Sequence, residues 1–223
     1  MELPAVLHAT HAQFLAERHR DADEDVHFTR DVAAAVISAL TQPDEVVFDP
    51  FAGFGTTLSV AQQLRRVGVG LELLPDRVAT VRTRVPAASI GCGDARQLDR
   101  LVHEQVLPIA AQEVTLCLTS PPYMTRNQHP ANPLTGYRTS DGDYAKYLTA
   151  LQQITQQVRT LLRPGGYLVM NVADIRYLGV DTPLIADVRQ ALESTMALVA
   201  QIPILWDRLP HDLTSDALLV WQH

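Results

Sequence analysis

Glu45-Val46-Val47-Phe48-Asp49-Pro50-Phe51-Ala52-Gly53-Phe54-Gly55-Thr56-Thr57 is a short apolar run that ends on an acid, turns through two glycines and opens a helix. The β-branched and aromatic residues at its head read as a buried strand, and 57–66 as the helix that follows. Gly53 and Gly55 let the backbone turn sharply and approach a ligand at the carboxyl end of the strand, where doubly wound sheets bind cofactors. The loop lacks the Lys-Ser/Thr of a phosphate-binding P-loop, and Leu58 stands where a dinucleotide fingerprint has its third glycine. A ligand bound through phosphate is therefore disfavoured.

The same alternation continues along the chain. Apolar stretches at 68–71, 88–92, 114–118, 167–172, 199–205 and 217–221 are separated by helix-like stretches at 75–84, 95–104, 144–162 and 183–194. Near-continuous apolar strands separated by helices point to an α/β, doubly wound domain whose mostly parallel sheet is covered on both faces. A helix at 31–40 precedes the first strand, with Thr29 as its N-cap and Pro43 beyond its end. Residues 1–26 read as a polar helical leader ending in Asp21-Ala22-Asp23-Glu24-Asp25, and 27–223 as one domain. The one long irregular stretch is 124–143.

Composition sets the outer bounds. With 223 residues and 47% hydrophobic content, the chain can bury one sizeable core. Mean hydropathy is +0.00, and charged residues make up 19%, below the globular norm of about 25%. No apolar run approaches the ~20 residues of a membrane helix, and Met1-Glu2-Leu3-Pro4 lacks the features of a secretory signal, so a cytoplasmic protein with no membrane association is expected. The formal charge of −7 weighs against non-specific phosphate attraction, and with Lys146 the only lysine any phosphate contact falls to arginines. Cys92 and Cys117 are expected as buried small hydrophobes. His8 and His11 share a helical face in this reading, but with no third ligand nearby no metal site is expected.

Two further acids stand at strand ends. Glu72 closes Gly68-Val69-Gly70-Leu71-Glu72, where a carboxylate accepts the hydroxyls of a ribose, and Asp94 follows the next strand, placed to accept from an adenine amine. Either acid alone reads better as a helix-dipole cap than as a ligand contact. Together with the glycine loop they fit a ligand with a nucleoside end and an amino-acid end.

After the fourth strand comes Thr119-Ser120-Pro121-Pro122-Tyr123. Asp49-Pro50-Phe51-Ala52-Gly53-Phe54-Gly55-Thr56-Thr57 paired with Ser120-Pro121-Pro122-Tyr123 resembles the S-adenosylmethionine-dependent DNA amino-methyltransferases, which methylate N4 of cytosine or N6 of adenine. The similarity includes Leu161-Leu162-Arg163-Pro164-Gly165-Gly166-Tyr167 and runs over residues 27 to 208. It implies a Rossmann-like methyltransferase fold with a mostly parallel seven-stranded sheet whose last strands form an antiparallel hairpin. It also implies S-adenosyl-L-methionine as cofactor, held by Phe28, Thr29, Asp49, Phe51, Gly53, Gly55, Thr56, Thr57, Glu72 and Asp94. DNA is the implied partner, its target base flipped or single-stranded. Serine at the head of the motif resembles the N4-cytosine group.

The chemistry of Ser120, Pro121, Pro122 and Tyr123 follows from the residues themselves. Two prolines hold the backbone extended and remove two N–H donors, leaving carbonyl acceptors. If Ser120 and the Pro121 carbonyl accept the two hydrogens of an exocyclic amine, its lone pair is drawn out of the ring plane, and Tyr123 stacks on the base. Residues 124–140 contain no Asp or Glu, and Arg126, His129, Tyr137 and Arg138 make that stretch an expected nucleic-acid contact, with a disordered excursion as its alternative. Asp174 and Arg176 line the base pocket or form an ordinary surface pair. Two other functions stay open: methylation of an RNA base amine of the guanosine-N2 type, and a non-catalytic cofactor-binding subunit. Sequence recognition is expected from the loop or from a protein partner.

Overall fold

The computed structural model describes residues 3–20, 22, 28–127, 130–140 and 142–223. All seven expected strands form, as β2 (Val46–Asp49), β3 (Val67–Glu72), β4 (Ser89–Cys92), β5 (Val114–Thr119), β6 (Leu162–Tyr177), β8 (Ala197–Trp206) and β9 (Leu213–Gln222). Two more join them, β1 (Leu7–Ala9) and β7 (Val180–Thr182), so the sheet has nine strands rather than seven among the described residues. Its order is β1-β8-β9-β6-β5-β2-β3-β4, with β7 paired to β6. Pairing is parallel from β4 through β6, and β9 runs antiparallel to both β6 and β8.

Successive strand residues feed opposite cores, as the two-residue repeat requires. On β2, Val46 and Phe48 face a core built with α5 (Leu98–His103), α6 (Tyr144–Leu161) and α7 (Leu184–Leu192). Val47 faces the other, built with α2 (Arg30–Leu40) and α3 (Thr56–Gln63). On that second side Leu58 of α3 packs with Val78 and Val81 of α4 (Pro75–Arg84). The expected helix at 95–104 begins as a 3-10 turn, Ala95–Gln97, before α5.

The leader departs from its helical reading. Leu7 and Ala9 are buried with His8 exposed between them, the alternation of a strand, and they pair in parallel with Ile204 and Trp206. Only then does Thr10 start α1 (His11–Glu17), through a reciprocal capping box with Gln13. His8 and His11 therefore share no helical face. Cys117 is buried as expected, but Cys92 is exposed, because it is the last residue of the edge strand β4.

Parallel pairing carries the carboxyl ends of β2, β3, β4, β5 and β6 to one edge of the sheet. The turn between β8 and β9 lies at the same edge, since Leu213 pairs with Ile175. Everything described next sits there.

Candidate active site

Asp49 is fully buried and holds the glycine loop together. It accepts from Thr57 Oγ1 at 2.7 Å, Thr119 Oγ1 at 2.6 Å and the Phe51 amide at 3.0 Å, tying β2 to α3 and β5. Burial pushes its carboxyl up to about 6 against the pull of those three donors. Gly53 and Gly55 have φ of +52° and +84°, and a Cβ on Gly55 would lie 3.1 Å from Val81. The Gly53 amide donates to Glu72 Oε2 at 2.9 Å, and the Leu74 amide to Glu72 Oε1 at 2.8 Å. Glu72, also buried, thus stitches the loop to the turn after β3.

Two cavities meet over this loop. The larger, about 480 Å³, is within the range of small-molecule sites and is lined by Glu72, Leu74, Arg77, Pro121, Tyr123 and Tyr137 among others. The smaller, about 100 Å³, is lined by Glu17, Phe28, Asp49, Thr56 and Thr57. Phe51, Gly53 and Ser120 line both, so the base motif and the glycine loop touch at the junction. Gly55 lies behind the loop as the N-cap of α3. Thr29 precedes α2 with its hydroxyl buried and without a hydrogen-bond partner among the described residues, so its N-cap position carries no side-chain cap bond.

Asp94, expected at the adenine, stands beside the cavity wall. It caps the turn at Ala95–Gln97 and binds Arg96, with Arg96 Nη2 2.6 Å from Oδ2. Its neighbours Gly93 and Ala95 line the larger cavity in its stead. The arginine two residues on reaches back along the turn to both carboxylate oxygens.

The Ser120 motif is wired into the sheet. Asn171 Nδ2 donates to Asp216 Oδ1 at 2.6 Å and to the Ala217 carbonyl at 3.2 Å, which fixes the amide with Oδ1 toward Tyr123. Tyr123 Oη donates there and to the Asn171 carbonyl, each at 3.2 Å. Ser120 Oγ lies 3.4 Å from Tyr123 Oη, and either hydroxyl can donate to the other. When Tyr123 gives its proton to Asn171, Ser120 donates to Tyr123 and keeps both lone pairs for a ligand. Asp216 also accepts from Trp206 Nε1 at 2.8 Å, and burial pushes its carboxyl up to about 6. The Pro122 carbonyl accepts from Tyr147 Oη at 3.0 Å.

The 124–143 stretch, where it is described, is folded across the cavity. Met124, Asn132, Leu134 and Thr135 are buried, and Asn132 caps a 3-10 turn at Pro133–Thr135. Tyr137 is exposed at the cavity wall and Arg138 is exposed; His129 lies outside the described residues. Arg126 is held by Asp187 at 2.7 Å, and Tyr144 Oη donates to the same carboxylate. Asp174 accepts from the Ile185 amide and from Ser215 Oγ, while Arg176 pairs with Asp181 at 2.6 Å, so the surface-pair alternative holds for Arg176. Ile175 and Tyr177, of opposite parity, line the cavity.

Several lining or supporting residues escaped the sequence reading. Arg77 is buried in the cavity wall with its guanidinium 5.0 Å from the Phe54 ring centroid. Glu17 sits at the smaller cavity and accepts from the Arg30 amide at 2.7 Å. Asn171 and Asp216 did leave a signal, a polar residue inside each of two apolar strands, which burial makes costly without a partner.

Residues 12–82 match the DNA methylase family, a span that includes the glycine loop and Glu72 and ends before Ser120. A type II methyltransferase, M.BglII of Bacillus subtilis, is 37% identical over 59 residues, which cover 25% of this chain and 16% of that protein. Among solved structures, the TehB-like S-adenosylmethionine-dependent methyltransferase of Corynebacterium glutamicum superposes with a TM-score of 0.55 at 14% identity, over 85% of each chain. The N-methyltransferase NodS of Bradyrhizobium japonicum gives 0.57 at 12% identity, over 87% of this chain and 93% of NodS. The [4+2]-cyclase SpnF gives 0.58 at 12% identity, over 91% of this chain and 85% of SpnF. These likenesses establish the Rossmann-like methyltransferase fold, and the cyclase among them shows that the fold alone does not dictate the reaction.

Proposed function

From residues 12–82 that match the DNA methylases, carried on the Rossmann-like methyltransferase fold, we propose that the chain moves a methyl group from S-adenosylmethionine to an exocyclic amino nitrogen of a DNA base. N4 of cytosine is preferred over N6 of adenine, on the resemblance of the serine-headed motif to the N4 group. The observation that carries the reading is Ser120 at the junction of the two cavities, 3.4 Å from the Tyr123 hydroxyl.

The site fits such a cofactor. Glu72 and the backbone of Phe51–Gly53 flank the larger cavity for a nucleoside, and the smaller cavity, beside the buried hydroxyl of Thr29, suits a polar amino-acid end. The cofactor supplies an electrophilic methyl on a sulfonium sulfur. What the chain supplies is the nucleophile's geometry. Ser120 Oγ, acting only as acceptor, takes one amine hydrogen and the Pro121 carbonyl takes the other, so the nitrogen lone pair leaves conjugation with the ring and points at the junction. The Tyr123 ring lines the same cavity and gives the base a face to stack on.

Ser120→Ala tests this reading. Calorimetry should show cofactor affinity unchanged, while turnover falls about 30- to 1,000-fold, the 2–4 kcal/mol typical of one preorganised transition-state hydrogen bond. A variant with parental turnover would reduce Ser120 to a turn residue.

A further inference from the structure

β6 and β7 are joined by two residues, Leu178 and Gly179, between the paired Tyr177 and Val180. Both have positive φ, 49° and 77°, the pattern of a two-residue hairpin turn that favours Asn, Asp or Gly at its first position. A leucine there bears the steric cost that L side chains meet in the left-handed region. No packing offsets it: Leu178 is 81% exposed, more than any other large apolar side chain among the described residues. A Cβ built on Gly179 meets nothing within 4 Å, so the tip stands clear of the fold. Folding alone gives no reason for leucine at this place.

Its surroundings do. Tyr177, the residue before it, lines the large cavity, and Ile175 lies deeper on the same wall. The hairpin is braced from both sides, by Asn127 Nδ2 donating to the Tyr177 carbonyl at 2.9 Å and by the Arg176–Asp181 pair. Tyr177 and Val180 are themselves partly exposed, so the tip is apolar throughout. A base held at Ser120 has left its stack at a cost in unpairing and unstacking, and an apolar side chain inserted between base steps is one way a protein opens the stack. A chain of formal charge −7 has little electrostatic grip with which to hold the duplex open.

We propose that Leu178, on its rigid hairpin tip, enters duplex DNA as an apolar wedge and occupies the space vacated by the target base while that base sits in the cavity beside Tyr177. The inference rests on the base-methylation reading above and adds to it how the duplex is opened.

The test is Leu178→Gly, which relieves the backbone strain as it removes the side chain. Methyl incorporation from labelled S-adenosylmethionine is followed on a random-sequence DNA pool presented as perfect duplex, as separated single strands and as randomly reannealed, mismatched duplex, with thermal unfolding in parallel. The wedge predicts an unchanged or raised melting temperature, a fall of about tenfold or more on perfect duplex, recovery on mismatched duplex, and single-strand activity within about twofold of the parent. An equal fall on all three substrates would place Leu178 in the site or in a partner contact and overturn the wedge, as would parental activity on duplex. If the parent methylates none of the three, the base-methylation reading itself falls, and the wedge with it.

Discussion

Asp216 and Asp49 are two buried carboxylates, each pushed up to about 6 by burial. In an unfolded chain such a group titrates near 3.9, so between about pH 4 and pH 6 the folded protein holds a proton that the unfolded chain has released. Stability contributed by each group is therefore present at low pH and lost as pH rises through 6. Asp216→Asn cannot ionise, so its deficit against the parent should be greater at pH 4.5 than at pH 7.5, by about 1–3 kcal/mol, measured by urea unfolding at both pH values. A deficit independent of pH would mean that Asp216 titrates as an ordinary carboxylate. Asp49, Glu72 and Ser120 were legible in the sequence because each closes an apolar run, and the end of a parallel strand is a place in the fold. Asp94 and Arg126 were legible as charges but not in their engagements. Arg96 takes the first through a local turn, and Asp187, far along the chain, takes the second. Asn171 and Asp216 needed the β6–β9 register, in which Asp216 stands opposite Ala173, before their partnership could be seen.

The glycine loop and the cap across the cavity behave as separate elements. In the loop, Gly53→Val puts a β-branched side chain at a φ of +52° and at the junction of the cavities, so calorimetry on the folded variant should show S-adenosylmethionine binding abolished. Unchanged affinity would remove the loop from the cofactor site. In the cap, Arg126 is neutralised in place by Asp187 and works as a pin, which leaves exposed Arg138 for a phosphate. Arg138→Ala should flatten the salt dependence of DNA binding by about one unit of log–log slope, while Arg126→Ala leaves the slope as it was. The reverse result would mean that Arg126 leaves Asp187 for the nucleic acid. The sequence marked 124–143 as unusual through its lack of acids, but its fold depends on Asn132 capping a 3-10 turn and on Met124 and Leu134 reaching the core. Neither contact has a periodicity to read.

The whole molecule gathers its chemistry at one sheet edge because five parallel strands end there and the antiparallel β9 begins there. Seven strands were legible as apolar runs; β1 and β7, three residues each, are too short for a pattern to register. Among the described residues no helix is long and apolar enough to cross a membrane. The fold, shared with a cyclase as well as with methyltransferases, leaves the reaction to be decided by the edge. That decision is made most directly by incubating the protein with labelled S-adenosylmethionine and separate DNA and RNA pools, then digesting each to nucleosides. The account predicts label in DNA, on the N4 amino group of deoxycytidine, and its loss in Ser120→Ala. Label confined to RNA, or on carbon rather than on an exocyclic nitrogen, would contradict it.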